Sequence, residues 1–211
     1  RESHGMSQVI VVDYGVGNVA SVRRSFERLG AEVLLTGDAV AIAEADRVVL
    51  PGVGAFAPAM DSLMKGGLDV ALKAAAQRGG RLLGLCLGYQ LLFEESEEFG
   101  TTKGLGLLKG RVVAFPAGTR TPHVGWNRIV PTLRTEGARI LAGLPRESWV
   151  YFVHSFRPEG ADAKDIAATT DYGGPFPSVA EKGNVWGCQF HPEKSSETGR
   201  QILRNFLEAA S

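Results

Sequence analysis

Two hydrophobic rhythms divide this chain. In the amino-terminal half, short apolar runs alternate with stretches of helical spacing. Gln8 to Val12 is a β-branched run suited to a buried strand, and Asp13 to Asn18 follows it as a turn. From Val19 the apolar residues Val22, Phe26 and Leu29 recur at helical spacing, and Gly30 ends the helix. Glu32 to Leu35 reads as the next strand, Ala39 to Glu44 as a short helix, and Arg47 to Leu50 as a third strand running into Pro51-Gly52-Val53-Gly54. Phe56, Met60, Leu63 and Met64 mark one helix and Leu68 to Gln77 another, after which an apolar run from Arg81 leads into Cys86. Strands alternating with helices predict a parallel sheet covered on both faces.

After Gly100 the rhythm changes. Leu107 to Phe115, Asn127 to Val130, Trp149 to Val153, Ile166 to Thr170, Ser178 to Glu181 and Val185 to Phe190 are short strand-like runs separated by glycine and proline. A last helix carries Ile202, Phe206 and Ala209 on one stripe. The expected fold class is therefore α/β, a central and mostly parallel sheet flanked by helices, with antiparallel strands in the carboxyl-terminal half. Arg1 to Gly5 read as an expression-tag remnant, with the natural start at Met6 and one domain spanning 6–211.

Composition narrows the classes of partner. The formal charge is zero, so nothing draws the chain as a whole toward nucleic acid or an anionic membrane, and partners must be recognised locally. No apolar run approaches the length of a membrane span. Cys86 and Cys188 are the only two cysteines and lie far apart, which suggests neither a zinc site nor a disulfide framework and fits a reducing cytoplasm.

The chemistry centres on Gly84-Leu85-Cys86-Leu87-Gly88. This G-x-C-x-G pattern is the thiol counterpart of a nucleophile elbow, whose flanking glycines relieve crowding in a sharp strand-to-helix turn. Backbone N–H groups at the start of the following helix would favour a thiolate and later an oxyanion. The alternative is a buried core cysteine, the reading that Cys188 takes within its apolar strand. A nucleophilic thiol needs a base, and the base an orienting group. His191-Pro192-Glu193 supplies both at the end of another strand, with His123 and His154 as the other candidate bases. An oxyanion site would draw on the Leu87 N–H and on the glycine-rich loop Pro51 to Gly54. Gly15 to Ala20 also satisfies G-x-G-x-x-A, a dinucleotide fingerprint, but Asp13 would put a carboxylate beside the pyrophosphate and no acid ends the second strand.

Together, Pro51-Gly52-Val53-Gly54-Ala55-Phe56, the stretch Gly84 to Phe93, and Gln189-Phe190-His191-Pro192-Glu193-Lys194-Ser195 resemble the class I glutamine amidotransferases, from Met6 to the last helix. Asp13 to Asn18, Pro122-His123-Val124-Gly125-Trp126-Asn127 and Tyr151 to Phe156 resemble, more narrowly, the glutaminase subunits of imidazole glycerol phosphate synthase. The resemblance implies a class I glutaminase sandwich in which Cys86 attacks the glutamine side-chain amide, His191 is acid and base, and Glu193 orients it. Gly52, Val53 and Leu87 would form the oxyanion site, with a peptide flip in the glycine-rich loop coupled to the partner. Gly52, Gln90, Glu98, His154, Ser155 and Phe156 would line the glutamine pocket. His123, Trp126, Asn127, Tyr151 and Lys194 would face the partner, a separate (β/α)8-barrel cyclase that takes ammonia through a tunnel and makes imidazole glycerol phosphate for histidine biosynthesis. Such a barrel needs about 250 residues of its own, more than this chain can contain. No cofactor or metal is implied. Tyr89 stands where the family commonly has methionine. A stand-alone γ-glutamyl or cysteine hydrolase on the same scaffold is the competing reading.

Overall fold

The structure, a computed structural model, describes residues 6–132 and 138–209, so the tag reading of Arg1 to Gly5 lies outside the described residues. The chain runs β1 (Gln8–Val12), α1 (Val19–Glu27), β2 (Glu32–Thr36), α2 (Ala39–Glu44), β3 (Arg47–Leu50), α3 (Phe56–Lys65), α4 (Leu68–Gln77), β4 (Arg81–Leu85) and α5 (Leu87–Leu91). It continues through β5 (Phe93–Ser96), β6 (Thr102–Lys103), β7 (Leu108–Ala114), β8 (His123–Pro131), β9 (Ser148–His154) and β10 (Phe156–Glu159). Strands β11 (Ile166–Asp171), β12 (Pro175–Lys182) and β13 (Val185–Cys188) and the helix α6 (Ser196–Glu208) complete it.

The main sheet has the order β2-β1-β3-β4-β13-β12-β11-β8-β9. Its first five strands are parallel, and from β13 onward every neighbouring pair is antiparallel. The expected fold class is thus met in its arrangement as well as its content. Residue alternation in β1 shows how the layers form: Val9 and Val11 enter one core with Val22, Phe26, Ile202 and Phe206, whereas Ile10 and Val12 enter the other with Ile42, Phe56, Leu63 and Leu72. Helices α1 and α6 therefore cover one face and α2 to α5 the other.

A second sheet, β10-β7-β5-β6, joins strands of the carboxyl-terminal half to β5, which comes from before the change of rhythm and was not expected as a strand. The helix predicted to leave Cys86 is only five residues long, and the chain turns at once into β5, which pairs in parallel with β7. Strand β8 is also longer than its apolar run, reaching back to His123. Among the described residues no helix is long and apolar enough to cross a membrane.

Candidate active site

Four loops meet at the carboxyl edge of the parallel strands: Asp13 to Asn18 after β1, Pro51 to Gly54 after β3, Cys86 after β4, and Gln189 to Glu193 after β13. This edge is where open α/β sheets carry their sites. Cys86 has φ 53, a left-handed conformation that few non-glycine residues adopt, and its N–H donates to the Cys188 carbonyl at 2.9 Å. The glycines of the elbow have separate reasons. A Cβ on Gly84 would lie 2.7 Å from the Gly88 carbonyl oxygen, and one on Gly88 would run into the Leu50 carbonyl. Helix α5 thus crosses the ends of β3 and β4 at a separation that only hydrogen atoms fit.

His191 is brought to Cys86 across the β4–β13 pair. Its Nδ1 lies 2.7 Å from Glu193 Oε1, and the two side chains are only 6% and 5% exposed. The backbone is clamped from β9: the His191 N–H donates to the Tyr151 carbonyl, and Ser195 Oγ donates to the His191 carbonyl while accepting the Tyr151 N–H. Burial opposes charge on the imidazole, but its hydrogen bonds to Cys86 and Glu193, with the charges of those groups, outweigh that and push the pKa up to about 10. The buried Nε2 makes no hydrogen bond of full geometry and is the atom left for the sulfur and a substrate. Cys188 is fully buried, and burial holds its thiol well above the ordinary range, so it stays a core residue.

Beside the dyad lies a cavity of about 360 Å³ lined by Val53, Gly54, Cys86, Leu87, Gln90, Glu98, Pro122, Val153, His154, Ser155, Phe156 and His191. Gln90, Glu98, His154, Ser155 and Phe156 are brought together there. Gly52 does not line the cavity: its carbonyl accepts the Leu87 N–H at 3.3 Å. The three expected oxyanion residues are therefore adjacent, but the Leu87 donor is already engaged. Tyr14 braces that loop by donating from its buried hydroxyl to the Pro51 carbonyl at 2.6 Å, and burial first, then Cys86, raises its pKa. Tyr14, Pro122 and Val153 were not singled out in the sequence. Glu98 accepts the Phe56 N–H, and burial raises its pKa against that bond. The uncommon Tyr89 is fully buried, donates to the Pro177 carbonyl and lies over Gly187, where no Cβ would fit.

The expected partner face divides in two. On the edge hairpin, Val124, Trp126 and Arg128 pair with Val153, Tyr151 and Trp149 and share the outer face, with Trp126 half exposed. Lys194 is exposed as well. His123 is not on that face: the strand period of two turns it inward, where it stacks on Phe152 and Tyr172 and is 3% exposed. Asn127 shares its side and is half-buried, bonding His123 and the Asp171 carbonyl.

Residues 10–210 match the family model "Glutamine amidotransferase class-I". The chain belongs to the class-I glutamine amidotransferase family. Within it, the chain is 46% identical to the imidazole glycerol phosphate synthase subunit HisH of Symbiobacterium thermophilum, over 95% of this chain and 93% of that one. The HisH subunit of Syntrophotalea carbinolica is 44% identical, over 94% of this chain and 98% of that one. The fold of this amidotransferase is similar to that of PurLQS from Thermotoga maritima, with TM-score 0.77, 20% identity and coverage of 96% and 98% of the two chains. It is also similar to the acivicin-bound glutaminase domain of Trypanosoma brucei CTPS, with TM-score 0.67, 16% identity and coverage of 98% and 96%. Among the described residues no cluster of histidine, cysteine and carboxylate side chains is arranged to hold a metal ion.

Proposed function

We propose that this amidotransferase is the glutaminase subunit of a cytoplasmic imidazole glycerol phosphate synthase, hydrolysing glutamine at Cys86 and passing ammonia to a separate cyclase subunit. The observation that carries the chemistry is the Cys86, His191, Glu193 arrangement at the wall of a cavity open to the surface. The proton that the sulfur gives up resides on His191 Nε2, with Glu193 holding Nδ1–H. The sulfur attacks the side-chain carbonyl carbon of glutamine, and His191 returns the proton to the departing nitrogen, so that ammonia leaves and a thioester remains. Water, deprotonated by His191, then adds to the thioester and the sulfur leaves, giving glutamate. Glutamine and water are consumed; glutamate and ammonia are formed.

The α-ammonium of glutamine has a counterpart in Glu98, whose carboxylate, disfavoured by burial, gains from an arriving cation. The oxyanion of each tetrahedral intermediate needs the Leu87 N–H, which Gly52 now holds. Turning the Gly52–Val53 peptide would free that donor and swing the Val53 N–H toward the cavity. In the resting arrangement the chain alone is therefore a slow glutaminase.

Glutamate release measured with and without the cyclase and its nucleotide precursor tests the reading. Stimulation of at least about a hundredfold is expected, the usual loss when an oxyanion donor is missing. Equal rates would instead support the stand-alone hydrolase. Trp126 supplies the anchor of the proposed docking face, with Tyr151 beside it at 6.1 Å between ring centroids. Trp126→Ala should weaken binding of the cyclase by about thirtyfold or more, as truncation of an interface tryptophan does; titration calorimetry reads it directly.

A further inference from the structure

Behind the cavity wall runs a chain of hydrogen bonds whose direction can be assigned from its ends. His154 Nδ1 lies 2.7 Å from the Phe156 carbonyl oxygen, an atom that only accepts, so His154 carries its proton on Nδ1. Its Nε2 then accepts from His123 Nδ1 at 2.9 Å. That leaves His123 Nε2 as the acceptor for Asn127 Nδ2 at 3.2 Å, and the same Nδ2 donates to the Asp171 carbonyl at 3.1 Å. Both rings are neutral in this wiring, in keeping with burial, which lowers their pKa values to about 4 for His123 and about 3 for His154. At the inner end, the Phe156 carbonyl also accepts Gln90 Nε2 at 3.0 Å, and Gln90 Nε2 donates as well to Gln189 Oε1 at 3.0 Å. With both hydrogens of that amide nitrogen directed into the protein, Oε1 is the atom of Gln90 offered to the cavity.

We infer that His123 and Asn127 are positioning residues for glutamine recognition, acting through His154 and the Phe156 carbonyl to hold the Gln90 amide with its acceptor toward the substrate. This rests on the glutaminase reading above. Neither residue touches the cavity, and neither is needed for the transfer of a proton at Cys86. Their loss therefore falls on glutamine binding rather than on bond breaking.

Two measurements test this. Long-range ¹H–¹⁵N spectra of the full chain labelled in histidine should show both His123 and His154 as Nδ1–H tautomers at neutral pH. Either ring found as the Nε2–H tautomer or as imidazolium overturns the wiring. In the complex with the cyclase, His123→Phe keeps the ring between Phe152 and Tyr172 but removes both bonds; KM for glutamine should rise about tenfold, the worth of one buried hydrogen bond, with a smaller change in kcat. His123→Asn, which keeps a donor toward His154, should recover most of that loss. An unchanged KM, or turnover from added ammonia falling in step with glutamine turnover, overturns the positioning role. Should His123→Phe fail to fold, Asn127→Leu removes only the outer link at a half-buried position and must shift KM in the same direction. If the unaltered complex releases no glutamate, the glutaminase reading and the recognition role fail together, while the tautomers are judged separately by their spectra.

Discussion

Cys86→Ala is expected to abolish glutamine-dependent turnover, by about 10⁴-fold or more, while synthesis from added ammonia by the complex with the cyclase persists. The size follows from the role: without the sulfur no thioester forms, and only the binding and electrostatic contributions of the cavity remain. The selectivity follows from the structure. Cys86 is 6% exposed, and besides His191 its sulfur reaches only the Val153 carbonyl, at a long 3.7 Å, so alanine removes a polar contact of the site but little packing. The left-handed backbone of the elbow is held by its N–H bond to Cys188 and by the close crossing of α5, neither of which involves the sulfur. An electrophilic glutamine mimic should label the unaltered chain at one thiol and leave the variant unlabelled. Loss of ammonia-dependent synthesis in the variant would mean that Cys86 is a packing residue and that the chemistry lies elsewhere.

The parts of this site that were legible in the sequence are those fixed by the chain's own local geometry. Cys86 announces itself because an elbow needs small neighbours at both flanks, and His191 and Glu193 because a base and a carboxylate stand two residues apart just beyond a strand. The strand stops at Cys188, however, and it is a single 3-10 turn over Pro192–Lys194, not extended chain, that brings the two side chains together. The parallel half of the sheet was equally legible, since a buried β-branched strand followed by a helical stripe admits few alternatives. What could not be read depends on distant contacts. The brace of Tyr14 on Pro51 joins residues 37 apart with no local signal, and the second sheet forms because β7, itself legible as the run Leu107 to Phe115, takes β5 and β10 as neighbours, two four-residue strands too short and polar to stand out. His123 is the instructive miss. The alternation of Val124, Trp126 and Arg128 with His123, Gly125 and Asn127 already separated an outer from an inner face, but extending the strand back from its apolar run was needed to see it.

The second large effect is expected from Glu193→Gln, which keeps the shape of the orienting group but exchanges its charge. Glu193 Oε1 accepts from His191 Nδ1 in a nearly dry setting, and Oε2 is buried without a partner, so the carboxylate serves the imidazole alone. Glutamine at this position can turn its amide nitrogen toward Nδ1, which favours the wrong tautomer of His191; a loss of about 10² to 10⁴ in kcat is expected, the upper end being that of the analogous carboxylate-to-amide change in a serine protease. A pH-dependent stability change should accompany it. The folded-state pKa of His191 is raised from 6.5 to about 10, so its proton stabilises the native chain fully below about pH 6.5. That contribution declines as pH rises and is gone above about 10. Removing the Glu193 charge lowers the folded-state pKa, so the variant should be less stable than the parent near neutrality and should lose less between pH 7 and 10. Denaturant midpoints measured across that range decide it: parallel curves for the two proteins would show that Glu193 does not hold the His191 proton, and the assignment of acid and base at this site would have to be abandoned.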